Sequence, residues 1–108
     1  MKLNMEKEYS SKFDEARKNR VKTSFYKYGS AKENYGKRLS NPIKNLQLCI
    51  DKYKETHNTE YLVDAANYCM FEYMYPQFDD AYFRATSSEE SAGISGFCVK
   101  ELEEHNDK

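Results

Sequence analysis

The chain has no tryptophan, two prolines and four glycines in 108 residues. So few turn formers exclude the all-β architectures built from many short strands. No run of about 18 apolar residues is present, so no membrane-spanning helix is expected. The first stretch, MKLNMEKEYSSKF, lacks the apolar segment of a secretory signal. Cys49, Cys69 and Cys98 are odd in number and fit no CxxC spacing. Reduced thiols in a cytoplasmic protein are the expectation. His57 and His105 have no Cys or Ser partner at motif spacing, which leaves nucleophilic catalysis and a zinc site without support.

What the chain does have is aromatic rings and charge. Ten Tyr and six Phe supply much of the core material. The net charge of −1 hides a split. Residues 1–54 hold fourteen Lys/Arg against six Asp/Glu, and residues 55–108 hold three against twelve. Either the basic half lies on the acidic half, or the chain offers two surfaces to partners of opposite sign.

Periodicity predicts an all-α fold for a single domain over 1–108: a small bundle of three to four helices with a central helical hairpin and an irregular aromatic and acidic loop. A long first helix is expected over 4–28, with Tyr9, Phe13, Ala16, Val21, Phe25 and Tyr28 along its inner stripe and Gly29 as its stop. Ser30 to Glu33 has capping-box spacing and opens a short turn that Gly36 ends. Ser40 or Asn41 caps a second helix, with Pro42 at its first position and Ile43, Leu46, Ile50 and Tyr53 facing inward. Thr56-His57-Asn58 forms a short break, and Asn58 caps a central helix from Thr59 to about Met74 that Pro76 stops. The two helices form a hairpin. Residues 77–85 read as an aromatic irregular segment and 86–96 as a polar, acidic loop. Ser95 or Gly96 opens a last helix, Phe97–His105, with Val99 and Leu102 inward.

The central helix carries the main functional clue. It is apolar almost all round, yet Glu60, Asp64 and Asn67 fall on one face. Polar groups on a buried helix must be paired, reached by solvent, or bound to something. A short hairpin loop brings Asp51 and Glu55 near Glu60 and Asp64, and four carboxylates there could hold Mg²⁺ with Lys52 on a phosphate. The plainer alternative is that Glu60 favours the helix dipole and Asp64 pairs with a Lys or Arg of the basic half.

Leu62-Val63-Asp64-Ala65-Ala66-Asn67-Tyr68, with Tyr35-Gly36 upstream, resembles the helix pair of MazG-like all-α nucleotide pyrophosphohydrolases over residues 35–75. That resemblance implies a Mg²⁺-dependent release of pyrophosphate from a nucleotide. The family's first acidic helix carries an E-E-x-x-E run, where Pro42–Tyr53 offers only Asp51. The whole chain also resembles small uncharacterised phage and mobile-element proteins of Gram-positive bacteria, in which an EYLVD…N helix precedes an acidic Ser/Glu loop. This implies a mobile-element setting and no activity.

The residues expected to meet a partner fall into two sets. Arg17, Lys18, Arg20 and Lys22, interleaved with aromatics, suit phosphates or an acidic surface, or else a solvated helix face. Tyr75, Phe78, Asp79, Asp80, Tyr82, Phe83, Glu89 and Glu90 suit a basic groove, with the loop acids imitating phosphate spacing, or else pack against the helices. The expectation is a non-enzymatic phage-type binding protein that docks on and inhibits a host nucleic-acid-handling complex of the defence, CRISPR type. No cofactor is expected in that case. The partner would be a host protein or ribonucleoprotein, with nucleic acid possible and no membrane. The pyrophosphohydrolase, with Mg²⁺ on Asp51, Glu55, Glu60 and Asp64, and a small RNA- or DNA-binding module stand as alternatives.

Overall fold

A computed structural model describes residues 1–92. Among them every regular element is helical: α1 (Met5–Glu8), α2 (Ser11–Tyr28), a π-helical turn (Lys32–Gly36), α3 (Pro42–Thr56) and α4 (Glu60–Met74). The fold is all-α, as expected. The last helix expected over Phe97–His105, with its Val99 and Leu102, lies outside the described residues, as does Cys98. Among the described residues no helix is long and apolar enough to cross a membrane.

The expected first helix is broken. Tyr9 and Ser10 are both extended, at φ −140° and −122°, and Ser10 Oγ accepts from Phe13 N–H at 3.1 Å. A serine that satisfies an orphan first-turn donor favours a fresh helix start over continuation. The inner stripe also differs from expectation: no residue of α2 is fully buried, and Tyr9, Phe13, Phe25 and Tyr28 are exposed. Among the described residues α2 packs chiefly on α4, and one main neighbour leaves much of a helix surface uncovered.

The hairpin forms as its signals require. Asn41 Oδ1 accepts from Ile43 and Lys44 N–H at 3.0 and 3.3 Å, and Pro42 behind it is fully buried. α3 runs one residue further than expected, through Thr56, and stops at His57, which is left-handed at φ 61° and donates its N–H to Tyr53 O at 2.7 Å. Asn58 Oδ1 then accepts from Glu60 N–H at 3.0 Å, so Asn58 does the capping. Ser30 Oγ likewise accepts from Glu33 N–H at 3.2 Å and starts the π-helical turn.

α4 lies between α2 and α3 and supplies most of the core. Pro42, Val63, Ala65, Asn67 and Phe71 are the buried residues among those described. The rest of the apolar material is half-buried or exposed. Phe71 receives the Tyr35 ring of the π-helical turn, stacked at 4.6 Å between centroids and 18° between planes. Gly36 lies under Tyr75: a Cβ there would sit 3.4 Å from its ring.

Candidate functional site

The polar stripe of α4 faces α2. Arg20 Nε donates to Asp64 Oδ1 at 3.0 Å and its Nη2 donates to Oδ2 at 3.3 Å, a two-pronged fork. The same guanidinium lies 3.7 Å from Glu60. Hydrogen bonding to Asp64 holds the Arg20 pKa above its ordinary value. One turn along, Asn67 Nδ2 donates to the Arg17 carbonyl at 2.9 Å. Asn67 is 5% exposed, and its Oδ1 has no partner among the described residues. A buried acceptor left unpaired costs about 1–3 kcal/mol. Arg17 reaches the Met70 sulfur at 3.3 Å and Asp14 at 3.4 Å.

The four acids considered for Mg²⁺ go to different partners. Glu60 and Asp64 belong to Arg20, Asp51 accepts from Gln47 Nε2 at 3.0 Å, and Glu55 lies 3.6 Å from Lys52. Among the described residues no three His, Cys, Asp or Glu side chains come together as a metal site would need. Mg²⁺ prefers near-octahedral oxygen ligation, and these residues do not fit it. Lys52, assigned there to a phosphate, is held beside Glu55 instead.

Beside the Arg20–Asp64 fork, α2, the Gly29 turn, the π-helical turn and α4 form a half-open pocket of about 230 Å³. Its walls include Phe25, Tyr28, Tyr35, Tyr68 and Phe71, and Asp64 and Asn67 lie on its α4 side. Gly29 turns the chain there at φ 90°, ψ −172°, a region essentially closed to residues with a Cβ. Asn34 fixes the turn by donating Nδ2 to the Tyr28 and Ser30 carbonyls at 2.9 and 3.1 Å. Burial, with smaller contributions from Tyr35, Cys49 and Asp64, pushes the Tyr68 phenol up to about 12. Burial also raises the Cys49 thiol, whereas Cys69 is an exposed free thiol.

A second surface follows α4. Tyr73 and Phe83 meet edge to face at 6.3 Å, and an open groove of about 550 Å³ lies among Cys69, Glu72, Tyr73, Pro76, Tyr82 and Phe83. Tyr82 and Phe83 are 82% and 84% exposed, and Phe78, Asp79 and Asp80 are exposed beside them in sequence. Asp79 is paired with Arg38. Glu90 is paired with Arg84 at 2.6 Å and closes a turn with Ser87, and Glu89 is exposed in that turn.

The two expected contact sets therefore fare differently. Arg17 and Arg20 face α4, while Lys18 and Lys22 are exposed, so the basic set is divided between seam and surface. In the other set Phe78, Tyr82, Phe83 and Asp80 are available, whereas Tyr75 is half-buried against Gly36. The charge split is partly internal, because Arg20 and Arg38 of the basic half pair with Glu60, Asp64 and Asp79 of the acidic half. Tyr73 walls the groove with Tyr82 and Phe83, while the aromatic pocket between α2 and α4 has no counterpart in the expected contact sets. The one sequence signal for the pocket is Gly29 between two aromatic-rich segments. No family model, curated protein or solved structure matches this chain.

Proposed function

We propose that the protein is a non-enzymatic binding protein that docks on a host nucleic-acid-handling complex and blocks it. The observation that carries this reading is the edge after α4, where Tyr73, Phe78, Tyr82 and Phe83 are exposed next to Asp79 and Asp80. Isolated exposed apolar residues are ordinary, but a contiguous aromatic groove is a feature of contact surfaces. Basic nucleic-acid grooves take two things, stacking rings and negative charge. Exposed rings flanking Asp80 and the Arg38-paired Asp79 offer both. The resemblance to small phage and mobile-element proteins implies a mobile-element setting, and within this proposal the target is a defence complex of the CRISPR type. The dispersal of Asp51, Glu55, Glu60 and Asp64 weighs against the pyrophosphohydrolase alternative.

The test is competition. Purified nucleic-acid-handling defence complexes are titrated with the protein at rising salt, with and without their nucleic acid. The expected result is salt-sensitive binding that nucleic acid displaces, weakened at least tenfold by Phe83→Ala, a loss of about 1.4 kcal/mol. Binding that ignores both salt and the Phe83 substitution, or no binding to any such complex, overturns the proposal.

A further inference from the structure

The pocket beside Asp64 is not used by the docking edge, with which it shares no residue. Its chemistry is one-sided. Asp64 is the single charged residue among the described residues lining it, and five of those twelve residues are aromatic. The faces of aromatic rings carry negative potential and attract cations, most strongly where water is partly excluded. Asn67 adds a second acceptor, since its Oδ1 is buried without a partner among the described residues. Arg20, which neutralises Asp64, reaches it from outside the lining. Glu60 beside Arg20 leaves the local cluster of Arg20, Asp64 and Glu60 one negative charge in excess.

Size narrows the ligand. Pockets that enclose drug-sized molecules run from about 300 to 1,000 Å³. At about 230 Å³ this one accepts the head of a side chain and little more. Shape narrows it again. Tyr35 and Phe71 stack on each other, so a ligand meets only ring faces turned away from that stack, and flat groups stack on flat walls. A guanidinium is planar, stacks on aromatic faces and carries five N–H donors in a fixed fork, while an ammonium is a strongly hydrated point charge. An oxygen on Asp64 keeps acceptor capacity after receiving one Arg20 N–H, and Asn67 Oδ1 has its full capacity. We propose that this pocket is a binding site for a guanidinium group, held by the Phe25, Tyr28, Tyr35 and Tyr68 rings and by acceptors on Asp64 and Asn67.

The probe is ethylguanidinium, titrated into the full chain and followed by the aromatic NMR signals of Tyr35, Tyr68 and Phe71. The expected result is saturable shifts with a Kd of about 1 mM, weakened at least tenfold in Asp64→Asn. Because Asp64 also holds α2, Tyr28→Leu is the second variant: Tyr28 is 72% exposed and meets Asn34 through its backbone carbonyl, so an unchanged thermal melt is expected. This variant too is expected to weaken binding several-fold. A blocked Gly-Arg-Gly peptide provides another arm. Tighter binding of the peptide than of ethylguanidinium identifies the source as an arginine of a partner chain, and the reverse identifies a free small molecule. Butylammonium binding as tightly as ethylguanidinium overturns the assignment, as does linear, unsaturated shifting or saturation unaffected by either variant. Phe83→Ala does not touch the pocket, so failure of the docking proposal leaves this result unchanged.

Discussion

Replacing Arg20 by Ala tests whether the polar stripe of α4 is a structural seam. The Arg20 and Asp64 side chains are 39% and 21% exposed, so their fork lies between the exposed and buried extremes. Exposed ion pairs contribute about 0.2–1 kcal/mol, and breaking a fully buried pair costs about 3–5 kcal/mol. Hydrogen bonds to charged groups are worth about 1.5–3 kcal/mol. Removal of Arg20 takes away two such bonds and the Glu60 contact, and it leaves Asp64 partly desolvated without its counter-charge. Solvent screening at the exposed Arg20 end puts the expected loss near 2 kcal/mol. In a chain of this size that lowers Tm by roughly 10 °C. Urea unfolding of wild type, Arg20→Ala, Asp64→Ala and the double variant closes a cycle, and the expected coupling is about 1–2 kcal/mol with unchanged m-values. A coupling below about 0.3 kcal/mol, the level of independent sites, would refute the reasoning.

Two further outcomes follow from the pocket walls. The Tyr68 phenol is raised from 10.0 to about 12 in the fold, chiefly by burial, so the folded state holds its proton more tightly than the unfolded chain. Its contribution is complete below about pH 10 and is lost as pH rises through 12. Stability measured by unfolding should therefore fall across that window, and Tyr68→Phe should flatten the fall. A profile equally steep in Tyr68→Phe would show that other tyrosines cause it. Gly29→Ala should cost about 1–3 kcal/mol, because alanine is strained at φ 90° although nothing obstructs its Cβ. A thermal melt matching wild type would mean that the turn relaxes freely.

Much of the architecture could be read from local chemistry. Asn41-Pro42, Asn58, Ser30 and Pro76 mark boundaries through groups within three or four residues of them, and each boundary falls within one or two residues of its signal. The Ser10 break was equally local, but the apolar spacing of Tyr9, Phe13 and Ala16 suggested continuity across it. The exposed stripe of α2 was not legible, because periodicity shows which face a helix could bury but not how much partner surface it meets. The same limit applies at the site. The Glu60–Asp64–Asn67 face and its cationic partner could be inferred from spacing and charge, while the choice of Arg20 depends on how α2 crosses α4. Asp51 and Glu55 stand close to Glu60 and Asp64 in sequence, yet each was taken by a neighbour on its own helix. The pocket needs Tyr35 and Phe71, which come from segments with no shared period.

The small set of buried residues, Pro42, Val63, Ala65, Asn67 and Phe71 among those described, bears on how the protein responds to temperature. The heat-capacity change of unfolding comes mainly from apolar surface newly exposed to water. Among the described residues much of that surface is already wet in the folded state, so a small change per residue is expected. The stability curve is then shallow and broad, with little gained by cooling and a gradual rather than abrupt loss on heating. Any partner that covers the aromatic edge would sharpen that curve as well as raise it, because the surface it dries is surface the fold alone leaves hydrated.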